Sequence, residues 1–178
     1  MADKNYYSIA DQDGVVIENK DFPDEGVSCL EYSDIFKLSH ATNVVLRNSK
    51  IAGGKEDCID MNRYCENVLI ENVTLHSGGK YCITIKGGTK NVVLRNIIVD
   101  AHGSETDIDL GNWSDQSSDL TTNITLDNVK SRDGTPVRVR VLWADKPTII
   151  GGSDIKLTVI PRPLYAIYRL LRKYKLVP

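Results

Sequence analysis

The sequence lacks the features that mark several large classes of protein. No apolar stretch approaches the length of about 20 residues that a membrane-spanning helix needs. The first residues, MADKNYYSIADQ, are polar where a secretory signal peptide requires an apolar run. The formal net charge of the 178 residues is only −2, and basic residues are concentrated only in the C-terminal tail. We therefore expect a protein made in the cytoplasm that has neither a membrane nor a nucleic acid as its partner.

Cysteines are few, and their spacing is not that of a metal site. Four are present, and none forms a CxxC pair or a Cys/His pattern typical of zinc. Cys58 and Cys82 lie 24 residues apart in equivalent positions of a repeat, so we expect them to stack as small side chains on neighbouring strands. We predict free thiols, which fits a reducing compartment, and no bound zinc.

One short phrase recurs four times along the chain. The copies are NVVLRN from Asn43, NVLIEN from Asn67, NVVLRN from Asn91 and NITLDN from Asn123, at intervals of 24, 24 and 32 residues. Apolar and polar residues alternate within each copy, which is typical of a strand with one buried face. At about 3.3 Å per residue, one interval holds two or three strands joined by corners. The repeat therefore predicts the coils of a parallel β-helix.

A second strand recurs in phase with the first. Its copies DIFKLS, DCIDMN, YCITIK and TDIDLG begin at Asp34, Asp57, Tyr81 and Thr106. Because strands of neighbouring coils lie about 4.8 Å apart, we expect their apolar residues to stack inward in columns. The two expected core columns are Phe36, Ile59, Ile83 and Ile108, and Leu38, Met61, Ile85 and Leu110.

The last asparagine of each copy of the phrase predicts a side-chain ladder at a corner. Asparagine tolerates the left-handed backbone that a corner needs, and stacked amides can satisfy one another. We interpret this column as structural. Its members are Asn48, Asn72, Asn96 and Asn128.

Together these patterns predict an all-β protein, a single-stranded parallel β-helix of about five to six coils. Nothing resembles an interdomain linker, so we treat residues 1–178 as one domain, with a cap in 1–13, coils in 14–160 and a tail in 161–178. Apolar residues of the tail recur at helical spacing among basic residues, which predicts an amphipathic helix. We interpret this helix as a cap on the last coil, and its alternatives are a subunit contact or a membrane-surface helix.

Two segments are similar to those of a known enzyme family. YSDIFKL (32–38) looks like the NTDG-hydrophobic segment of polygalacturonases of glycoside hydrolase family 28, and EDCIDMN (56–62) looks like their DDC segment. The coil pattern as a whole resembles the right-handed parallel β-helices of the pectin-lyase-like superfamily, which also includes pectate lyases and phage tailspikes. The closer resemblance implies that the catalytic carboxylates are Asp34, Glu56 and Asp57.

The chain departs from the polygalacturonase pattern in the following coils. It has Tyr81 where that family has the histidine of a GHG motif, and DIDLG (107–111) where the family has RIK. The basic groups that bind the uronate carboxylate in that family are therefore missing at these positions, and Lys80 and Lys86 are the candidates to replace them.

The positions of Asp34 and Asp57 give the implied chemistry a physical basis. They lie 23 residues apart, each two positions before a stacked apolar residue, so we expect them in one column on adjacent coils. Close carboxylates repel each other, which raises the pKa of at least one. An inverting hydrolase needs one carboxylic acid for the leaving oxygen and one carboxylate to activate water.

Polar residues on the outer face of the same strand predict a groove for a polysaccharide. We align one outer column as Lys37, Asp60, Thr84, Asp109 and Arg138, and the next as Ser39, Asn62, Lys86, Gly111 and Arg140. Charged groups and amides bind hydroxyls there while an aromatic ring stacks on a sugar. The alternative interpretation is a solvated face that keeps the protein soluble. The predicted substrate-binding residues are Asp60, Lys80, Tyr81, Lys86, Asp109 and Trp113.

We predict that the protein needs no cofactor, and the alternative is calcium. Pectate lyases use clusters of aspartates for calcium, and the resemblance implies a calcium set of Asp57, Asp60, Asp107 and Asp109 in this chain. The insertion NWSDQSSDLTT (112–122) accounts for the long last interval. We expect it to be either a functional lip of the groove or a plain loop.

Three classes of function remain open. The first is a polysaccharide-acting enzyme, either a glycosidase of the polygalacturonase type or a calcium-dependent lyase. The second is a noncatalytic glycan-binding protein of the phage spike or tail type, which would be virion-associated. The third is a purely structural solenoid, since fold alone does not determine function.

Similarity to spike proteins generates a prediction about assembly. We expect a homotrimer or larger assembly, formed through the coil faces or the C-terminal helix, because open sheet edges and an amphipathic helix both favour pairing between chains. Sedimentation equilibrium measures the mass in solution, and a strictly monomeric mass would contradict the expectation.

Overall fold

Two parallel sheets make up nearly all of the described structure. The computed structural model describes residues 4–76, 79–111, 119–142, 144–152 and 154–160. Within these ranges the protein is all-β, and its helical content is a single 3-10 turn at Cys29–Glu31. The predicted C-terminal helix falls on residues 161–178 and therefore lies outside the described residues. No helix of the described part is long and apolar enough to cross a membrane.

Fourteen strands follow one another along the described chain. They are β1 (Tyr7–Ala10), β2 (Val16–Glu18), β3 (Asp21–Phe22), β4 (Asp34–Ser39), β5 (Thr42–Ala52), β6 (Asp57–Asn62), β7 (Glu66–His76), β8 (Tyr81–Ile85), β9 (Lys90–Ala101), β10 (Ile108–Leu110), β11 (Thr122–Ser131), β12 (Val137–Val141), β13 (Thr148–Gly152) and β14 (Ile155–Val159).

From β4 onward, consecutive strands belong alternately to the two sheets. The first sheet has the order β1-β4-β6-β8-β10-β12-β14, and the second has the order β13-β11-β9-β7-β5-β2, with β3 also paired to β5. Every pair is parallel. This arrangement is compatible with a parallel β-helix. It also includes strand β1 in the segment that the sequence indicated as an N-terminal cap, because Ile9 pairs with Leu38 and extends the core.

The predicted core columns are confirmed by the register of the first sheet. Phe36 pairs with Ile59, Ile59 with Ile83 and Ile83 with Ile108. All eight predicted core residues are fully buried, and apolar side chains of both sheets join in one core cluster. Complete burial of such a side chain stabilises the fold by about 1.5 to 3 kcal/mol before the entropy of ordering is subtracted.

Strict alternation is interrupted near the start of three strands of the first sheet. Consecutive residues are both fully buried in the core there, as Ile35 and Phe36 are. Before β6, the N–H groups of Glu56 and Asp57 both donate to the carbonyl of Ser33, at 2.8 and 3.2 Å. As in a β-bulge, two residues then occupy one step of the pleat. The equivalent buried pairs are Cys58 with Ile59 and Cys82 with Ile83.

This interruption decides where the acids point. Simple alternation would put Asp34 on the buried side with Phe36. With two successive core residues between them, Asp34 and Lys37 instead share the outer side, and Lys37 Nζ lies 2.8 Å from Asp34 Oδ2. Asp57 and Asp60 are related in the same way on the neighbouring strand.

Two asparagine ladders run along the second sheet. The predicted one is confirmed: the amide nitrogen of each member donates to the amide oxygen of the preceding one at 3.0, 2.9 and 2.8 Å. The second is formed by the first asparagine of each phrase, with distances of 3.0, 3.0 and 2.7 Å, and was not predicted. All eight residues have a positive φ, which asparagine tolerates better than most residues. The second ladder consists of Asn43, Asn67, Asn91 and Asn123.

Replacement of Asn72 tests what a ladder contributes to stability. Asn72→Ala removes two amide hydrogen bonds and puts alanine at a φ of 54°. We expect it to lower the free energy of unfolding by about 2 to 4 kcal/mol. Asn72→Gly loses the same bonds but tolerates the backbone, so its cost should be smaller by about 1 kcal/mol. Urea denaturation measures both, and an Asn72→Ala protein as stable as the wild type would contradict the structural role.

Candidate functional site

Three buried aspartates lie together on the outer side of the first sheet. Asp34 and Asp57 are partners in the register of β4 and β6, which confirms the predicted column. One carboxylate oxygen from each of Asp34, Asp57 and Asp60 lies within 4.8 Å of the other two. Their residues are only 3%, 4% and 2% exposed. We call these three residues the aspartate cluster.

Two lysines partly neutralise the aspartate cluster. Lys37 Nζ lies 2.8 Å from Asp34 Oδ2 and 2.8 Å from Asp60 Oδ2, so it bridges two carboxylates. Lys86 Nζ lies 3.1 Å from Asp60 Oδ1. Three acids therefore face two ammonium groups, and Asp57 is the member that forms no ion pair with a lysine of the described residues.

The surroundings of Asp57 favour its protonated form. Burial, followed by the neighbouring Asp60 and Asp34, raises its pKa well above the ordinary carboxyl value. Its Oδ1 is buried and has no hydrogen-bond partner among the described residues. Burial and Asp60 also raise the pKa of Asp34, although Lys37 opposes them. A protonated carboxyl beside paired carboxylates is the arrangement that general acid catalysis uses.

The lysines of the cluster remain charged. Burial on its own would lower the pKa of Lys37, but Asp60 and Asp34 raise it overall. The same balance holds for Lys86, where Asp60 and Asp57 outweigh burial. The ammonium groups are partly accessible, with side-chain exposures of 25% for Lys37 and 19% for Lys86. A ligand approaching this face therefore meets the two lysines before it meets the aspartates.

Glu56, the third predicted catalytic carboxylate, lies outside the aspartate cluster. Its Oε1 accepts a hydrogen bond of 2.6 Å from Lys80 Nζ, and both side chains are nearly half exposed. It directly precedes β6, so it is at the rim of the face that carries Asp57. The structure thus brings together two of the three residues that the polygalacturonase resemblance implied and places the third beside Lys80.

A second group of charges follows the cluster along the same face. Arg140 binds Asp109 through two hydrogen bonds of 2.8 and 2.9 Å, and its Nη2 lies 3.2 Å from the hydroxyl of Tyr81. That hydroxyl donates to Glu105 Oε2 at 2.8 Å. Asp109 is fully buried and Tyr81 is only 6% exposed, so both take part in an internal network. Their contacts in this network are with protein groups.

The expected alignment of the two arginines with the preceding strand was wrong by two residues. Asp109 pairs with Arg140, whereas the sequence alignment placed Arg138 in that column. Arg138 instead binds Asp107, with Nη2 at 2.9 Å from Oδ1. Arg138 and Arg140 lie on the same face, so a shift of two residues keeps every apolar residue buried and the hydrophobic pattern does not distinguish the two alignments.

The implied calcium set is divided between two places. Asp57 and Asp60 belong to the aspartate cluster, but Asp107 and Asp109 are each bound by an arginine. Burial would raise the pKa of Asp107, yet hydrogen bonds from Arg138 and His102 lower it overall. Among the described residues, the group with the spacing for a cation is Asp34, Asp57 and Asp60.

Two cavities lie apart from the aspartate cluster. One of about 570 Å³ is lined by Phe22, Ile51, His76, Asp100 and Arg132, among others. Another of about 440 Å³ is lined by His102, Gly103, Thr135, Pro136, Arg138 and Lys156. Trp113, the predicted stacking residue, lies outside the described residues, as does most of its loop.

Comparisons of this chain with protein-family models, with curated proteins and with solved structures found no match. The geometry of the site is therefore the basis for any assignment of function.

Replacement of Asp57 tests how much the ionised form of this buried carboxyl group destabilises the folded protein. Because the folded-state pKa is raised, the folded protein binds this proton more tightly than the unfolded chain does. Stability therefore falls as the pH rises from the ordinary carboxyl value through the folded-state pKa. Asp57→Asn removes that penalty, so we expect its free energy of unfolding at neutral pH to exceed the wild type's by at least about 1 kcal/mol. Near pH 4 (about the ordinary pKa) the difference should shrink.

Asp107→Asn provides the opposite control for this measurement. Its pKa is lowered in the folded state, so Asp107 stabilises the protein above the ordinary carboxyl pKa, and this stabilisation is lost as the pH falls through the folded-state value. The substitution should therefore destabilise most at neutral pH. Denaturation midpoints at several pH values compare the two variants, and a destabilised Asp57→Asn protein at neutral pH would contradict the interpretation.

Proposed function

We propose that the two sheets are the faces of a right-handed parallel β-helix. Three observations support this proposal. Successive strands alternate between the two sheets, the strands pair in parallel, and each residue pairs with the residue one coil later in the sequence. Connections between parallel strands of one sheet are right-handed in about 98% of cases, because right-twisted strands pack back onto the sheet in that sense. An experimental structure with left-handed connections would contradict it.

We propose that the outer face of the first sheet binds a polysaccharide and that the aspartate cluster hydrolyses it. The observation that carries the proposal is the buried Asp57, whose pKa is raised, beside the lysine-paired Asp60 on the same strand, β6. In this mechanism Asp57 donates its proton to the glycosidic oxygen. The bond between the anomeric carbon and that oxygen breaks. A carboxylate of the cluster either attacks the anomeric carbon, forming a glycosyl-enzyme that water then hydrolyses, or takes a proton from a water molecule that attacks the same carbon.

The spacing of the carboxylates bears on the stereochemistry of the products. Their nearest oxygens lie within 4.8 Å, whereas inverting glycosidases separate the two carboxyl groups by about 6.5 to 9.5 Å and retaining ones by about 5 to 5.5 Å. This spacing of the nearest oxygens is compatible with the retaining range and does not by itself exclude inversion. The anomeric form of the fresh product, followed by NMR, distinguishes the two outcomes.

Lysines and the rim supply contacts for the sugar in this proposal. Lys37 and Lys86 are the accessible donors above the cluster, and the Glu56–Lys80 pair at the rim offers both a donor and an acceptor to hydroxyl groups. Binding energy from these contacts is needed to separate the lysines from the carboxylates, since Asp34 and Asp57 are almost completely covered.

Two features of the aspartate cluster each favour an alternative function. The unpartnered Oδ1 of Asp57 and the spacing within the cluster suit a calcium ion held by Asp34, Asp57 and Asp60, which favours the calcium-dependent lyase. The near-complete burial of the same aspartates favours a noncatalytic glycan-binding protein, in which the lysine bridges are permanent. The hydrolase remains our choice because a buried carboxyl group with a raised pKa, Asp57, lies beside the lysine-paired Asp60.

Product release from a panel of acidic and neutral polysaccharides tests the proposal. We expect release by the wild type, at least about 100-fold less by Asp57→Asn, since a general acid contributes at least that factor, and unchanged release by Asp127→Asn. Asp127 is a suitable control because it pairs with Arg95 on the second sheet. Loss of release in EDTA and recovery with calcium would instead support the lyase. No release by folded wild-type protein would overturn the enzyme proposal in favour of binding alone.

A further inference from the structure

The outer face of the first sheet changes its charge from one end to the other. The aspartate cluster occupies β4 and β6, whereas β12 and β14 carry Arg138 and Lys156. Three to five strand spacings of about 4.8 Å separate the members of the two groups, which corresponds to about 14 to 24 Å. The cationic end is therefore a separate place with its own cavity of about 440 Å³.

Arg138 and Lys156 are direct partners in the register of two neighbouring parallel strands. Like charges directly opposite each other on adjacent strands destabilise a sheet. Both residues line the same cavity, together with His102, Gly103 and Thr135. The side chain of Lys156 makes no ion pair or hydrogen bond with any described residue, so no described acid offsets the positive charge of its ammonium group.

The guanidinium of Arg138 is held in a fixed orientation. Its Nε and Nη2 donate to the two carboxylate oxygens of the fully buried Asp107, and Nη2 also donates to the carbonyl of Gly103. These bonds leave Nη1 without a partner among the described residues. A planar guanidinium that is anchored on one edge presents its remaining donors in a constant direction, which suits the recognition of an oxyanion.

The wall next to Arg138 is also ordered by hydrogen bonds. His102 Nδ1 lies 2.9 Å from Asp107 Oδ2, and His102 Nε2 lies 2.6 Å from Thr135 Oγ1. Thr135 in turn donates its backbone N–H to Asp133 Oδ1 at 2.9 Å. Asp107 and Asp133 therefore already accept hydrogen bonds from groups of this network. Lys156 is the cation of the cavity that has no such partner among the described residues.

We propose that this cavity is a binding site for an oxyanion, a carboxylate, sulfate or phosphate group, held between Arg138 and Lys156. An anion there offsets the charge of Lys156 and accepts from Nη1 of Arg138, whose other donors are bound to Asp107, so the fixed guanidinium sets its orientation. The site is distinct from the aspartate cluster and its occupation does not depend on hydrolysis. If the ligand is an acidic glycan, the site binds the acidic group of a sugar about three to five strand spacings from the cluster.

Anion titration of the wild type and two lysine variants tests this site. Inorganic sulfate, inorganic phosphate and acetate are each added at constant ionic strength, with chloride as the reference salt, and binding is followed by backbone amide shifts in NMR. We expect saturable shifts at Gly103 and in β12 and β14, and at least about fivefold weaker binding by Lys156→Gln. Lys146→Gln is the matched control, because Lys146 is exposed and does not line the cavity, and its affinity should be unchanged.

Thermal denaturation gives a second readout that does not depend on the NMR assignment. Without added anion, Lys156→Gln should be at least as stable as the wild type because it removes a like-charge pair. Added sulfate or phosphate should raise the melting temperature of the wild type more than that of Lys156→Gln. Equal affinities and equal melting shifts for the two proteins would overturn the proposal.

Oligosaccharides that carry either a carboxylate or a sulfate ester then distinguish the source of the anion. Competition with the inorganic ion at Gly103 supports a glycan ligand of that type. Saturable phosphate binding without such competition supports a free anion. Either result is independent of product release, so failure of this site and failure of the hydrolase proposal are separable.

Discussion

Parallel pairing in register is the constraint on which the rest of this protein depends. Each strand lies about 4.8 Å from its neighbours, so a residue at one position meets the equivalent residue of the next strand. Apolar positions benefit from this, because Phe36, Ile59 and Ile83 pack on one another in a buried column. Asparagines benefit as well, since each amide donates to the one before it. Charged residues of one sign repel each other in such a column, so they require partners of the opposite charge.

The outer face of the first sheet shows two solutions to that problem. Asp107 and Asp109 each receive an arginine from β12, which forms paired hydrogen bonds with the carboxylate. Asp34, Asp57 and Asp60 share two lysines, so one carboxyl group is favoured in its protonated form. An arrangement that destabilises the fold at neutral pH and supplies a proton donor is typical of a functional site. This contrast is the main physical argument for placing chemistry at Asp57.

The two ends of this face fit different ligand groups. The aspartate cluster offers a proton and a carboxylate under a cover of lysines. The cavity beside Arg138 and Lys156 offers one remaining donor of a guanidinium and an ammonium group that pairs with no described acid. A long acidic polymer would meet both ends at once, and a small anion would meet only the second. The proposals are therefore physically compatible, yet each rests on its own contacts.

Much of the fold followed from the sequence alone. The alternation in NVVLRN and DIFKLS and the interval of 24 residues determined the strands, the core columns, one asparagine ladder and the pairing of Asp34 with Asp57, because these depend only on periodicity. The tertiary structure decided what periodicity does not contain. Two successive core residues at Ile35 and Phe36 turn Asp34 outward towards Lys37, and the path of the chain before β12 sets Arg140 rather than Arg138 beside Asp109. Both outcomes depend on backbone geometry. The two successive core residues near the start of β4 change the side on which Asp34 lies, and a shift of two residues before β12 leaves the hydrophobic pattern unchanged but gives each aspartate a different arginine.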